Sequence, residues 1–296
     1  MIKIDIIIPV RNPNHDFDNF ISVVDSYTQS PKFDIKIIVI DNGTTNIDIY
    51  NICENYKSIN YFLYEKKINP YSARNYGISK SDADIIVHLD EKCFPTADWL
   101  ESAVNLIQNE EIEVVASNKV VILTDVTDPY QYVSVITVPI IEDSVRVGDA
   151  PGGSLFFKRV AFDKYGFFDD NTRSTADSLW FFNAIRKGLN IKYCKNSIVH
   201  YKAKSRIGVL SQALRIGRGN NYFHLKIGKS RRWMILSAIW NMRPPPIRFV
   251  KDELKKRTYK LNNIMLYSIY ISYFKYNIYF QLGRLGVKKI FDIKSD

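Results

Sequence analysis

The chain has 296 residues, 46% of them hydrophobic, and a formal net charge of +10; that is enough apolar material for one large α/β domain plus an appended element, and it excludes disorder as the main theme. Residues 202 to 260 carry sixteen Lys or Arg against Asp252 and Glu253 alone, while the remainder is slightly acidic, so the surplus implies a densely anionic partner at one end, a membrane surface or nucleic acid. Cys53, Cys93 and Cys194 are odd in number and far apart with no CxxC pair, which argues against a disulfide framework or a zinc site and fits a reducing, cytosolic setting.

The opening MIKIDIIIPV has no basic region ahead of a long apolar run and no small-residue cleavage site, so it reads as a buried strand and not as a signal peptide. Ile4 to Pro9, Ile35 to Ile40, Ile59 to Tyr64 and Asp84 to Leu89 are short β-branched runs of the kind buried on both faces of a sheet. Asp18 to Gln29, Asn46 to Tyr56 and Tyr71 to Lys80 fill the intervals with helix-length stretches, a β-α-β-α rhythm that predicts a parallel sheet with helices on both sides.

In such sheets ligands sit beyond the carboxyl ends of the strands. The residues there are Arg11 and Asn12, then Asp41-Asn42-Gly43, then Asp90-Glu91-Lys92. An aspartate after two separate strands is more than core packing requires, although each alone could cap a helix or close a turn.

After Pro95 a helix is expected to about Gln108, then strand character from Glu113 to Leu123 and a loop-rich stretch to Val147. PGGSLFFKRVAFDKYGFFDD reads as a glycine turn, a strand and a short helix; Thr175 to Lys187 is a second helix stopped by Gly188. Ile191 to Tyr193 and Ser197 to Tyr201 look like edge strands, and the charge balance changes near Lys202. This suggests a domain over 1–202 and a basic, aromatic-rich helical region over 203–296.

IDIIIPVRN, VIDNGTT, NPYSARNYGISKSDADIIVHLDEKCFP, PGGSLFFKR and TADSLWFFNAIRKG followed by VHYKAKSR stand in an order and spacing that resemble family 2 glycosyltransferases of the GT-A fold. The resemblance covers residues 3 to about 225. It implies an α/β, Rossmann-like, mostly parallel sheet flanked by helices, with a C-terminal helical extension. It also implies transfer of a hexosyl group from a UDP- or GDP-sugar to a hydroxyl of a glycan or lipid-linked acceptor.

By that resemblance Pro9, Val10, Arg11 and Asn12 wrap the nucleoside, Asp41 with Asn42 meets the base, and Arg74 and Asn75 lie near ribose and diphosphate. The bases of both nucleotides present N–H donors that a carboxylate accepts, and a guanidinium matches phosphate geometry. LDEKC occupies the place of the metal-binding DXD motif, with Asp90 and Glu91 as candidate ligands and His200 as a third. Lys92 stands where the last acid belongs, and an ammonium cannot ligate Mn²⁺ or Mg²⁺. Either Glu91 takes over, or Lys92 itself neutralises the diphosphate without metal, or activity is lost.

The family's catalytic base is the Asp of an ED pattern; here Ala176 replaces the Glu and Asp177 remains, a general base for inverting transfer or the acid of a helix's first turn. Gly152 and Gly153 match the place where donor sugar and acceptor approach backbone. Trp180, one turn beyond Asp177, either stacks on an acceptor sugar or packs in the core, and core packing is the commoner fate.

Ile207 to Leu225 reads as an amphipathic helix, and RRWMILSAIW, NMRPPP and KDELKKR follow, the build of an interfacial helix on anionic lipid. No segment offers about 18 uninterrupted apolar residues. Tyr267, Tyr270, Tyr273, Tyr276 and Tyr279 recur every third residue and suit a membrane interface, then a homo-oligomer contact, then core packing, in that order. The partners expected are a nucleotide sugar, a glycan or lipid-linked acceptor, an anionic membrane and a second copy of the chain, at the inner, cytoplasmic face of the membrane. Nucleic acid is disfavoured because the cations are interleaved with large apolar residues; a degenerate, non-catalytic nucleotide-sugar-binding protein is the other alternative.

Overall fold

A computed structural model describes residues 1–13 and 16–288; the last eight residues of the basic region lie outside it. The strands are β1 Ile2–Val10, β2 Phe33–Asp41, β3 Ile59–Leu63, β4 Ile85–Leu89, β5 Cys93–Pro95, β6 Val114–Ile122, β7 Ser154–Lys158 and β8 Ile191–Lys202. The helices are α1 Phe17–Ser26, α2 Ile49–Glu54, α3 Pro70–Ser79, α4 Trp99–Ile107, α5 Pro129–Thr137, α6 Ile141–Arg146, α7 Arg159–Tyr165, α8 Ala176–Ile185, α9 Arg206–Lys226, α10 Arg231–Trp240, α11 Ile247–Lys256 and α12 Asn263–Arg284. The chain divides into two compact units, one of Met1–Val120 with Ile140–Tyr201 and one of Val121–Pro139 with the chain from Lys202 on.

The first unit is built on a single sheet in the order β3-β2-β1-β4-β7-β6-β8-β5. The β-α rhythm of the first ninety residues produces its parallel part, β1 pairing with β2 and β4, and β2 with β3. β7 then enters antiparallel to β4 and β6, making the sheet mixed. The two edge strands read from 191–193 and 197–201 are one continuous strand, β8.

Ile4, Ile6 and Ile8 of β1 face one core layer with α1 and α4, and Ile7 faces the other with α3 and α8. Alternation on a doubly covered sheet therefore uses every residue of the isoleucine run. α8 ends where Gly188, at φ 93°, turns left-handed and Leu189 N–H bonds back to Ala184 O at 3.0 Å, the closure the glycine predicted.

The stretch to Val147, which reads as loop, contains two short helices, α5 and α6. Asp128 caps α5 by accepting from Tyr130 N–H at 2.8 Å with Pro129 in its first turn; the aromatic and β-branched content of PYQYVSVIT conceals this signal in sequence.

In the second unit Tyr130, Val133 and Ile136 of α5 share a core with Val209 and Leu210 of α9, Val250 and Leu254 of α11 and Ile269 of α12. Tyr270, Tyr273, Tyr276 and Tyr279 pack against this cluster while Tyr267 is 59% exposed. Most of the tyrosine repeat is therefore core packing, the use the sequence ranked last: three-residue spacing spreads the rings round α12, where several neighbours meet them. Gly217 and Gly283 let the backbones of α9 and α12 touch, since a Cβ on either would strike a main-chain carbonyl of the other helix.

Candidate active site

The carboxyl ends of β1, β2 and β4 form one rim. Val10 pairs with Asp41, and His88 with Ile7, so Asp41 and Asp90 leave the same edge two strand spacings apart, about 10 Å.

Asp41 is 5% exposed, and its two oxygens accept from Thr44 N–H at 2.8 Å and Tyr61 Oη at 3.0 Å. It lines an open cavity of about 570 Å³ with Thr44, Asn46, Tyr50, Tyr61 and Glu65, and a carboxylate retains further lone pairs for a ligand.

Around it several candidate residues are occupied with backbone. Asn42 donates to Tyr64 O at 2.7 Å and Lys67 O at 3.1 Å and accepts from Asn69 N–H at 2.7 Å. Asn12, at φ 47°, accepts from Thr45 N–H at 2.8 Å, while Asn75 clamps Phe168 by donating to its O at 2.9 Å and accepting from its N at 3.1 Å. These three hold loops in place. Pro9 and Val10 are buried in β1, and Arg11 is exposed at its end.

α3 begins with Asn69 accepting from Tyr71 N–H at 2.8 Å and Pro70 at its first position, which sets Tyr71 and Arg74, three residues apart, on one face. Arg74 is 7% exposed, ion-paired with Asp90 and 5.2 Å from the Tyr71 ring. Burial works against charge on Asp90, yet Arg74 and then Lys119 hold its carboxyl below the ordinary value. The Arg74 Nε is buried without a hydrogen-bond partner among the described residues.

Asp177 enters from the far side, in the first turn of α8 after Thr175, which is left-handed at φ 66°. Its Oδ1 accepts from Tyr71 Oη at 2.9 Å and its Oδ2 from Gly152 N–H at 2.7 Å, so one tyrosine and one amide fix the carboxylate beside the Arg74–Asp90 pair. A Cβ at Gly152 would lie 3.0 Å from Asp177 Oδ2, so the carboxylate would have to shift, and in ordinary contact with Arg74 Nη2 at 3.7 Å. Gly153, at φ 137°, would strike the Lys119 ammonium.

Sequence reading missed Tyr71, Lys119 and Asp149. Tyr71 is signalled by its spacing from Arg74, and Lys119 by being a charge inside an otherwise strand-like run; Asp149 has no distinctive signal. Its Oδ2 accepts from Ser178 Oγ at 3.0 Å, and burial, then the nearby Asp177, push its carboxyl up to about 6.

Trp180 is 5% exposed, enclosed by Phe157, Phe162, Phe168 and Phe181, and donates to Gly166 O at 2.7 Å; it is a core residue.

The donor set does not fit a hard dication, which needs several oxygen ligands. Asp90 is tied to Arg74, and Glu91 pairs with Lys92 at 3.4 Å. His200 on β8 is in register with Phe94 on β5, and the neighbouring Tyr201 faces Lys119, so alternation turns His200 to the opposite side. Among the described residues no group of three His, Cys, Asp or Glu side chains is placed to hold a metal ion.

The rim thus carries an open cavity at the end of β2 and, at the end of β4, a carboxylate paired with a buried arginine, the place where α/β proteins bind their ligands. Residues 5–166 match the profile of Glycosyl transferase family 2, and the chain belongs to that family: it is a glycosyltransferase. It is 23% identical over 275 residues to glycosyltransferase AglE of Haloferax volcanii, covering 90% of each chain. It is also 26% identical over 227 residues to an uncharacterized glycosyltransferase of Haemophilus influenzae, covering 70% of this chain and 86% of that one.

Among solved structures, the mannosyltransferase PcManGT from Pyrobaculum calidifontis, in complex with GDP-Man and Mn²⁺, superposes with a TM-score of 0.66 at 14% identity over 96% of this chain and 86% of its own. GalNAc-T7 with UDP, GalNAc and Mn²⁺ gives 0.56 at 15% identity over 69% of this chain, which spans 44% of its length. The fold is GT-A, as the motifs implied.

Proposed function

We propose that this glycosyltransferase moves a sugar from a UDP- or GDP-linked donor to a hydroxyl of a glycan or lipid-linked acceptor, with inversion and with Asp177 as general base. One observation carries the reading: Asp177 is oriented by Tyr71 and Gly152 beside the Arg74–Asp90 pair, across the rim from the groove at Asp41. The nucleoside would occupy that groove and the diphosphate would lie toward Arg74. The GDP-mannose and UDP bound by the two structural neighbours support a nucleotide-sugar donor.

In the reaction the acceptor O–H is deprotonated by Asp177 as its oxygen bonds to the anomeric carbon, and the bond to the diphosphate oxygen breaks with its electron pair leaving on phosphate. A positioned base contributes about 10²–10⁴-fold. Asp177→Asn is therefore expected to bind donor nucleotide as the wild type does and to lose turnover by about that factor, measured as sugar transfer or donor hydrolysis; near-normal turnover refutes the assignment. Donor binding by a wild-type protein that never turns over would instead support the degenerate, non-catalytic reading that Lys92 and Ala176 motivate.

We propose that the second unit attaches to an anionic membrane from the cytoplasmic side, and the surface of α10 supports the attachment itself. On α10, Met234 and Ala238 are buried while Leu236, Ile239 and Trp240 are 58%, 55% and 69% exposed, with Arg231, Arg232 and Arg243 exposed at the helix ends. Apolar rings bordered by cations suit a lipid interface. No described helix is long and apolar enough to cross a membrane.

A further inference from the structure

Lys119 occupies a position that a solvated surface lysine does not need. It extends from β6 two residues beyond Ser117, on the same face of the strand. Ser117 is anchored to Ser154 at 2.7 Å and Ser197 at 2.9 Å, and Ser154 also accepts from Trp99 Nε1 at 2.8 Å. Above this network the Lys119 ammonium donates to Gly152 O at 2.7 Å and lies 5.7 Å from the Tyr201 ring. Glycine at 153 makes the room, because a Cβ there would also stand 2.8 Å from Lys119 Cε. The chain thus threads a cation between a glycine pair and an aromatic ring, close enough to Asp90 for its charge to act on that carboxyl.

We propose that Lys119, together with Arg74, forms a metal-free cradle for the donor's diphosphate. The proposal rests on the nucleotide-sugar reading above and deepens it. As the glycosidic bond breaks, negative charge accumulates on the diphosphate, and fixed cations aimed at that charge lower the barrier. An ammonium has three N–H donors; one is spent on a neutral carbonyl, which leaves two for a ligand, and its charge is shared with Asp90, a carboxylate already paired with Arg74. Arg74 adds a buried Nε with no hydrogen-bond partner among the described residues.

Lys92 is the less suitable cation despite standing in the DXD position. It is 48% exposed and paired with Glu91, whereas Lys119 is gripped at the place where Asp90, Gly152 and Arg74 meet. The missing metal ligand is therefore answered by a cation about thirty residues further along the chain, which the motif does not reveal.

The test is nucleotide binding in excess chelator, with UDP and GDP as probes and uridine and guanosine as their phosphate-free counterparts. The wild type is expected to bind one nucleoside diphosphate far more tightly than its nucleoside. Lys119→Gln should weaken that diphosphate by about tenfold to a hundredfold while leaving the nucleoside unaffected. Lys119→Arg should restore most of the loss, and Lys92→Gln should cost less than Lys119→Gln.

Wild-type diphosphate binding that appears only on adding Mn²⁺, or a folded Lys119→Gln that binds like the wild type, overturns the cradle while leaving the donor reading intact. If neither diphosphate binds the wild type with or without Mn²⁺, the donor reading itself falls and the cradle with it. Should Lys119→Gln not fold, the metal-free ratio of diphosphate to nucleoside affinity in the wild type decides, and a ratio near one overturns the proposal.

Discussion

Asp149 shows how a single carboxyl can record the crowding of the site. It is held by Ser178 near Asp177, and burial followed by that neighbouring charge lifts its titration to about 6. In the unfolded chain an aspartate titrates near 3.9, so the folded protein binds the proton more tightly. Ionising Asp149 above pH 6 therefore costs folding stability, and the cost disappears as pH falls toward about 4. Asp149→Asn removes the ionisation and keeps an oxygen for Ser178. It should stabilise the protein at pH 7.5 by on the order of 1–3 kcal/mol and confer no advantage near pH 4. Thermal melts of both proteins across that range check it; a difference independent of pH would assign the effect to packing.

The same residue marks what a sequence can and cannot disclose about this cleft. Asp41, Asp90 and Asp177 were legible because strand ends and a helix start are written in local patterns of apolar and turn residues. Asn42 and Asn75 are candidate site residues by the resemblance, and their work as loop clamps was not legible, since their hydrogen bonds run to Lys67 and Phe168, whose positions depend on the tertiary fold. Lys119 and Asp149 reach the cleft only because β7, inserted antiparallel between β4 and β6, carries β6 and the segment before Gly152 to that side of the sheet, and no local pattern announces that meeting.

At the scale of elements, the crossing of α9 and α12 makes a sharper statement than helix propensity. Alanine in place of a helical glycine ordinarily gains up to about 1 kcal/mol. At Gly208, near the start of α9, an added Cβ would lie 3.3 Å from Lys204 Cβ, in the segment just before the helix, so a small shift relieves it and Gly208→Ala should stay within about 1 kcal/mol of the wild type. At Gly217 the Cβ would meet the Phe280 carbonyl and lie 3.0 Å from Arg284 N. Backbone cannot rotate away as a side chain can, so Gly217→Ala should destabilise by about 1–3 kcal/mol or more. Chemical denaturation should show Gly217→Ala clearly less stable than Gly208→Ala; equal effects would mean that the helices separate without cost.

The helices themselves were partly legible. α9 appeared in its amphipathic spacing, but the fate of the α12 tyrosines did not. A tyrosine is equally at home at a lipid interface or in a core, and the choice is made by α5 and α11, which lie elsewhere in the chain.

Over the whole molecule, the charge surplus and the exposed apolar residues fall in the same sequence region and have different physical reach. Lysines and arginines attract an anionic surface over a Debye length of about 10 Å at 0.1 M salt, contributing about 1 kcal/mol each near the surface. Trp240 and Leu236 contribute only on contact, by leaving water for the headgroup boundary. Attachment should accordingly require both. Co-sedimentation with vesicles containing phosphatidylserine is expected to exceed that with neutral phosphatidylcholine vesicles and to fall as salt rises from 0.1 to about 1 M, where the Debye length shrinks to about 3 Å. Leu236→Ser with Trp240→Ser, at positions 58% and 69% exposed, should cut vesicle binding several-fold while leaving nucleotide binding and melting temperature close to those of the wild type. Equal binding to neutral and anionic vesicles would remove the cations from the account, and tighter binding to generic duplex DNA at matched salt would replace the membrane with nucleic acid.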